Sequence, residues 1–266
     1  MVVLTYHKIK QKSEFEKQIQ YLSEHYQIVD EFTESKTAQR QLIITADDGD
    51  PSFYYHAFPI LKKYKIPAIL FVITDLINSQ KAFWWDEFEY YLGREEGNKK
   101  AWEVKTWANS KREAFLEELR NTSSKPLLKY KQLTTAQLKE MQEAGIRIAN
   151  HSHTHPMFDQ CTDQELEWEI KSSIEILKDL GFTHDVFAYP NGNYSELAEE
   201  RLKEFGIKQA FLFDHKIHKS SLNLLRISRL AVNDNTPMWK FKLILSGWHT
   251  KLLPITKGFA KLKNKL

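Results

Sequence analysis

The chain has 266 residues, of which 42% are apolar and 13% aromatic; this is enough to bury one large core and fits a single α/β domain of barrel size. Its net charge of +3 is too small to indicate nucleic-acid binding, so no nucleic-acid partner is expected. Cys161 is the only cysteine, which excludes an intrachain disulfide and gives no sign of an oxidising compartment.

The N-terminal residues predict a buried strand. Residues 1–6 form a short apolar run, and His7 stands at its end. This segment lacks the basic region and long apolar core of a secretory signal, and no apolar run in the chain reaches membrane-spanning length. A cytoplasmic location is therefore expected.

Two adjacent carboxylates follow the next strand. Leu42 to Ile44 is an apolar, β-branched run typical of a buried parallel strand, and Asp47 and Asp48 lie just beyond its carboxyl end. In α/β folds, ligands and chemistry collect at that end. Gly49 allows a turn that would bring both acids into one cavity. The alternative, from these residues alone, is an Asp-Asp-Gly surface turn.

Strand and helix patterns then alternate. Helical periodicity covers 51–64, 134–144, 162–180 and 194–205, and apolar strand runs cover 67–73, 146–149, 207–213 and 224–232. The short links between them favour a parallel sheet with crossover helices. Residues 81–130 interrupt this alternation with an aromatic-rich helix and a Lys/Glu-rich stretch. Their apolar content is too thin for a separate core, so we predict an insertion in the main domain.

A histidine cluster follows the strand run at 146–149. Three histidines occur within five residues, His151, His153 and His155, which core packing hardly explains, and Pro156 argues against a continuing helix. Imidazole and carboxylate together suit a divalent transition ion such as zinc. The cluster alone could be a solvated loop; together with the acidic pair it predicts a metal site.

The chain ends in a predicted helix and a basic tail, 236–266, which we separate from the main domain at 1–235. From Met238 onward the sequence has seven lysines and no acidic residue, interleaved with four aromatic residues. Such a segment could contact an anionic membrane, here at its inner face. The alternative is a solvated tail.

The two strand-end stretches resemble motifs of a known family. The run Thr-Ala-Asp-Asp-Gly at 45–49 is similar to the first motif of the polysaccharide deacetylases (carbohydrate esterase family 4), usually Thr-Phe-Asp-Asp-Gly. Residues 151–156 match the second motif, His-Ser/Thr-x-x-His-Pro, in full. The resemblance runs from residue 4 to about residue 230. It implies a single-domain distorted (β/α) barrel of about seven parallel strands, whereas periodicity alone indicates only α/β with a parallel sheet.

The resemblance also implies roles for the matching residues. In the family the first Asp is the catalytic base, and the second Asp and two histidines hold the metal. This implies Asp47 as the base and Asp48, His151 and His155 as the ligands of a divalent ion. Zinc is the leading choice, with Co²⁺, Ni²⁺ or Mn²⁺ as alternatives. His153 occupies a variable position and is interpreted as a bystander or a neighbour of the ligands.

The catalytic acid of most members belongs to a Leu-x-x-His motif near the C terminus. Here Leu-Thr-Tyr-His ends at His7. Some members, similar to those that deacetylate poly-N-acetylglucosamine, are circularly permuted and carry the motif first. The resemblance therefore implies His7 as the general acid.

The third family motif, usually Arg-x-Pro-x-Gly, corresponds to residues 188–192. The backbone amide of Asn191 matches the group that helps to hold the oxyanion. Ala188 replaces the arginine that orients the catalytic Asp, and Arg226 or Arg229 could supply that guanidinium. We favour Arg226, because related sequences often read Leu-Pro-Arg-Ile here. An ordinary surface ion pair is the alternative.

The resemblance implies a metal-dependent hydrolase that removes an N-acyl group, acetyl or formyl, from an amino sugar during cell-envelope polysaccharide biosynthesis. The expected substrate is an amino sugar in a glycan, a glycolipid or a sugar-nucleotide precursor. Because no export signal is visible, we favour a cytoplasmic precursor over a finished wall polymer. We expect Trp84 and Tyr189 to contact the sugar, although Trp84 could instead fasten the insertion. The alternatives are an O-acetyl esterase and a catalytically silent glycan-binding protein; the complete Asp, Asp, His and His set argues against the latter.

Overall fold

The computed structural model describes residues 1–31, 40–217 and 223–248. Within these ranges eight strands form one sheet: β1 (Val2–Tyr6), β2 (Gln27–Ile28), β3 (Gln41–Ala46), β4 (Ala68–Val72), β5 (Ile146–Asn150), β6 (Val186–Ala188), β7 (Gln209–Phe211) and β8 (Leu230–Ala231). Their order is β7-β6-β5-β4-β3-β1-β8, with β2 beside β3, and all the strand pairings are parallel. Their carboxyl ends therefore share one edge.

Helices connect the parallel strands. Those of the described chain are α1 (Lys12–His25), α2 (Phe58–Tyr64), α3 (Trp84–Leu92), α4 (Arg94–Glu103), α5 (Asn109–Thr122), α6 (Thr135–Glu143), α7 (Asp163–Leu180), α8 (Glu196–Glu204) and α9 (Met238–Leu245). A π-helical turn, Phe53–Ala57, precedes α2. Crossover helices are what neighbouring parallel strands require. The predicted α/β fold, a distorted (β/α) barrel of about seven parallel strands in one domain, is confirmed.

The sheet is curled, and both of its edges contact the same segment, residues 224–232. At one edge, Leu212 N donates to Ile227 O at 2.8 Å, next to β7. At the other, β8 pairs with β1 in the register Leu4↔Leu230. The strand predicted at 224–232 is therefore split, because the chain crosses from one edge to the other. Arg229 lies in this crossing segment and is fully buried.

The strands are buried on both faces. Val2 and Leu4 belong to the outer apolar cluster, which α1, α2 and α6 cover, whereas Val3 belongs to a smaller cluster inside the barrel. Successive side chains of a strand point to opposite faces, so such strands are apolar at nearly every position. This explains the continuous apolar runs in the sequence.

The inserted segment, residues 81–130, forms α3, α4 and α5 beside the barrel. Its ends meet at an antiparallel bridge between Lys81 and Lys129. Its small apolar cluster includes Trp84 and Leu116 together with Met157 of the barrel. An ion pair between Arg120 and Glu87, at 2.6 Å, joins α5 to α3.

The C-terminal helix α9 begins at Met238, directly after Pro237. Residues 249–266, most of the predicted basic tail, lie outside the described ranges. Membrane contact and cytoplasmic location thus stay predictions. None of the described helices is long and apolar enough to cross a membrane.

Candidate metal centre and active site

The turn after β3 carries the two predicted carboxylates. Asp47 N donates to Tyr6 O at 3.0 Å, so Asp47 still follows the sheet. Asp48 and Gly49 then adopt φ angles of 70° and 68°, a left-handed conformation that Asp tolerates better than most residues and glycine adopts freely. The chain reverses there, and both carboxylates line one cavity.

The loop after β5 is fixed by buried polar groups. Ser152 and His155 have φ angles of 65° and 62°. His155 N donates to Ser152 Oγ at 3.0 Å, and Ser152 N donates to Asn150 Oδ1 at 2.9 Å. The buried carboxylate of Glu169, on α7, accepts two more backbone N–H groups of this loop at 2.8 and 2.9 Å. These bonds hold a strained loop in one conformation.

Asp48, His151 and His155 converge on one point. Asp48 Oδ1 lies 3.4 Å from His151 Nε2 and 3.6 Å from His155 Nε2, and one ligand atom from each residue lies within 4.8 Å of the others. Two ligands about 2.1 Å from a tetrahedral zinc ion lie about 3.4 Å apart. The geometry therefore fits the predicted metal site.

The two imidazoles differ in protonation, yet each can offer Nε2 to a metal. Burial lowers the pKa of His155 to about 3, which keeps that ring neutral at physiological pH. Burial also lowers the pKa of His151, but its hydrogen bond to Asp48 and the charges of Asp47 and Asp48 outweigh this effect, so the pKa lies above its usual value. His151 Nδ1 lies 2.8 Å from Ala188 O, so the ring donates there through Nδ1, and at Nε2 a metal ion would replace a proton. One carboxylate with two imidazoles is a donor set suited to zinc.

His153 does not join this set. Its Nδ1 lies 2.9 Å from Thr74 Oγ1, and its ring contacts Trp168 edge to face. It supports the loop from outside the ligand group.

Asp47 is held apart from the ligands by Arg229. The guanidinium forms two bonds of 2.7 Å, one to each carboxylate oxygen, and both side chains are at most 3% exposed. Burial raises the pKa of Asp47, but the charge of Arg229 and its hydrogen bonds outweigh this effect and hold the pKa below its usual value. Asp47 is therefore an ionised carboxylate beside the candidate metal site.

The prediction that Arg226 orients Asp47 is wrong. Arg226 Nε donates to Glu199 Oε2 at 2.5 Å, and its guanidinium lies over the ring of Tyr194. Side chains two residues apart on an extended chain share a face. Ile227 points into the barrel, so Arg229 does too, while Arg226 faces away. The two-residue spacing between Ile227 and Arg229 was the signal that could have identified Arg229.

His7 lines the same cavity as the carboxylates. Its Nε2 lies 3.9 Å from Asp47 Oδ2, and its side chain is 38% exposed. The ring packs edge to face on Phe213. The structure thus places His7 beside Asp47, where an acid could reach a leaving group; its role stays a prediction.

Asn191 lies in the 3₁₀ turn Pro190–Gly192 with a φ of 55°. Gly192 and Asn193 donate the hydrogen bonds of this turn, so the Asn191 N–H takes part in neither of them. A Cβ at Gly192 would lie 2.3 Å from Phe213 N, which explains the glycine. Asn191 lines the cavity that also contains His7, Asp47 and Asp48, here called the catalytic cavity; the oxyanion role of its backbone N–H stays a prediction.

The two residues predicted to contact the sugar differ in their position relative to the cavity. Tyr189 is fully buried and packs against Phe187 and Phe158; it does not line the cavity, so the prediction that it binds substrate is wrong. Trp84 is 8% exposed, and its Nε1 donates to His155 O at 3.2 Å. Trp84 therefore supports the histidine loop, although its ring also borders the cavity.

The catalytic cavity has a volume of about 260 Å³ and adjoins a larger one of about 770 Å³. Trp84, Trp85 and His155 line both. The insertion also supplies Trp102 and Lys105 to the catalytic cavity. Sequence reasoning missed these two residues, because nothing in the Lys/Glu-rich stretch marks them.

An ionised carboxylate beside a candidate three-ligand metal site, at the carboxyl edge of a parallel barrel, is an arrangement typical of metal-dependent hydrolases. The sequence profile of the polysaccharide deacetylase family matches residues 34–210, and the chain belongs to this family. The predicted family and enzyme class, a hydrolase of the polysaccharide deacetylase type, are confirmed. The matched range includes Asp47, the metal-binding set and Asn191, but neither His7 nor Arg229.

Individual relatives agree with this. A poly-β-1,6-N-acetyl-D-glucosamine N-deacetylase of Staphylococcus aureus is 25% identical over 255 residues, covering 89% of this chain and 71% of the relative. The deacetylase PplD of Streptococcus pyogenes, solved with acetate, has a TM-score of 0.66 at 21% identity, covering 92% of this chain and 97% of that one. IcaB from Ammonifex degensii has a TM-score of 0.63 at 20% identity, covering 92% and 95%. Both structures share the fold.

Proposed function

We propose that this chain is a metal-dependent N-deacetylase that removes the acetyl group from an amino sugar within a glycan. One observation carries the proposal: Asp48, His151 and His155 converge on one point, while the neighbouring carboxylate of Asp47 is ionised and bound to Arg229. The site thus separates a metal-binding carboxylate from one free to act as a base. The S. aureus relative, which by its name deacetylates poly-β-1,6-N-acetyl-D-glucosamine, supports the substrate class.

Each functional residue of the cavity has a separate role in the proposed reaction. A bound divalent metal supplies Lewis acidity, which activates water and polarises the acyl carbonyl. Asp47 accepts the proton of the attacking water. The backbone N–H of Asn191 donates to the oxyanion that develops on the acyl oxygen. His7 donates a proton to the departing nitrogen, because an amine leaves an amide poorly until it is protonated.

The larger cavity supports a glycan rather than a phosphate-bearing precursor. Its charged lining is balanced, with three acidic and three basic side chains: Asp75, Glu87, Glu113, Lys81, Arg120 and Lys129. Phe83 and three tryptophans provide aromatic surface. Pockets of this size and apolar character suit extended organic ligands. Neutral sugar units next to the reacting one fit this lining better than a nucleotide or lipid phosphate.

Metal removal is the direct test of the function. We expect the chelated protein to release at least about 100-fold less acetate from N-acetylglucosamine oligomers, and Zn²⁺, Co²⁺, Ni²⁺ or Mn²⁺ to restore activity. Acetate and free amine are measured together, with an O-acetylated glycan in parallel. Turnover of the O-acetyl substrate alone would identify an esterase instead, and activity unchanged by the chelator would contradict the metal site.

A second test concerns His7. We expect His7→Gln to lower kcat on an N-acetyl glycan on the order of 10²-fold, because the amine leaves unprotonated. An aryl acetate, whose phenolate leaves without a proton, should lose little. The ratio of the two kcat values measures this difference. Equal losses on both substrates would mean that His7 is not the acid.

A further inference from the structure

Lys105 reaches the catalytic cavity from the insertion. It lies in the 3₁₀ turn Val104–Thr106 that follows α4. Its Nζ donates to Asn191 Oδ1 at 2.6 Å and lies 4.0 Å from the ring centroid of Trp102. No carboxylate of the described residues forms an ion pair with it, and burial lowers the pKa of its ammonium. Its hydrogen bond to Asn191 is thus its principal polar contact.

Besides its two backbone hydrogen bonds, the turn that Lys105 contacts is held by side chains. Asn191 Nδ2 donates to Asn193 Oδ1 at 2.9 Å, and Asn193 Nδ2 donates to Asp159 at 3.0 Å. Asn193 and Asp159 hold the outer side of the turn, whereas Lys105 holds it from across the cavity. Asn191 itself is in the left-handed region, where a non-glycine residue stays only if its surroundings hold it.

We propose that Lys105 is a positioning residue for the oxyanion-binding turn, so that the insertion takes part in catalysis. By holding the Asn191 side chain, Lys105 fixes the direction of the Asn191 backbone N–H relative to Asp47 and the metal site. The inference rests on the proposed function and deepens it. Displacing a catalytic donor by about 1 Å can cost about 10²-fold in rate, so one hydrogen bond on this turn suffices for a measurable effect.

Two variants and their combination test the proposal. Lys105→Met removes the donor, and Asn191→Gly removes the acceptor while keeping the left-handed backbone accessible. We expect each to lower kcat at least about tenfold, with KM and metal content unchanged. The double variant should be no worse than Asn191→Gly alone, because both changes break the same contact. Lys105→Arg, which keeps a donor, should recover most of the kcat.

A matched control lies on α4, the helix that precedes the turn of Lys105. Lys100 pairs with Glu103 at 2.7 Å and does not line the catalytic cavity, so Lys100→Met should leave kcat unchanged. An activity-independent readout uses the metal-free protein: the amide NMR signal of Asn191 should shift in Lys105→Met and not in Lys100→Met. Lys105→Leu, which also lacks a donor, serves if the methionine variant fails to fold.

The outcomes separate this inference from the proposed function. Wild-type kcat in Lys105→Met, an effect on KM alone, or multiplying losses in the double variant would overturn the positioning role. A change in KM alone would instead make Lys105 a substrate contact. Wild-type protein that releases no acetate from any glycan would refute the proposed function, whatever the Asn191 signal does.

Discussion

Asp47→Asn is expected to lower kcat by about 10³- to 10⁴-fold without loss of metal, the upper part of the range for a general base. The amide has nearly the same shape but cannot accept the water proton. Asp47 bonds to Arg229 and is outside the ligand group of Asp48, His151 and His155, so metal content should match wild type. Acetate release and elemental analysis measure the two properties separately.

The neighbouring residue provides the control. Asp48→Asn should lose both metal and activity, because an amide oxygen is a far weaker zinc ligand than a carboxylate. Two adjacent and chemically identical changes are thus expected to act differently. If Asp47→Asn also lost the metal, or kept its activity, the division of labour between the carboxylates would be wrong.

Arg229→Met is expected to destabilise the fold by about 3–5 kcal/mol, the range for removing one partner of a buried ion pair. The change leaves Asp47 buried without its cation. The free energy of unfolding, from urea titration, measures the loss. Arg226→Met is the matched control: Arg226 is 36% exposed, and its partner Glu199, although buried, keeps Lys203 and Asn223, so the loss should be smaller, about 1 kcal/mol.

The same variant should change the pH dependence. Arg229 lowers the folded-state pKa of Asp47, so the pair stabilises the protein above the unfolded pKa of about 3.9, and this contribution disappears as the pH falls through the folded pKa. Without Arg229 the pKa of Asp47 rises. The acid limb of kcat/KM should therefore move to higher pH. Adding Asp47→Asn to Arg229→Met should recover stability; no recovery would mean that the loss has another cause.

The candidate metal ligands could be predicted because each group of them occurs within one short stretch of sequence. The ligand types are visible in the sequence, each group follows a short apolar strand, and parallel strands bring their carboxyl ends to one edge. Asp48 and His155 thus converge although they are far apart in the chain. What the sequence does not display is the left-handed backbone at Asp48 and Ser152, which aims the side chains.

The wrong and missing predictions concern residues whose positions depend on tertiary packing. The sequence offers both Arg226 and Arg229, and the alternation of side chains separates them only once it is known that the face of Ile227 turns inward. Tyr189 ends a strand inside an aromatic cluster, so its neighbours bury it. Lys105 belongs to a stretch that is otherwise a solvated helix surface, and only the packing of the insertion brings it to Asn191.

The segment at 224–232 also has a consequence for synthesis. Asp47 obtains its counter-charge from Arg229. Until the ribosome has synthesised Arg229, the nascent chain therefore contains an acid that belongs to the future core and has no cation to pair with. Closure of the sheet against β1 requires the same late residues. The active site therefore cannot form before the segment at 224–232 has been synthesised. Hydrolytic competence should appear only after Arg229 has been synthesised, and products that terminate before it should be inert.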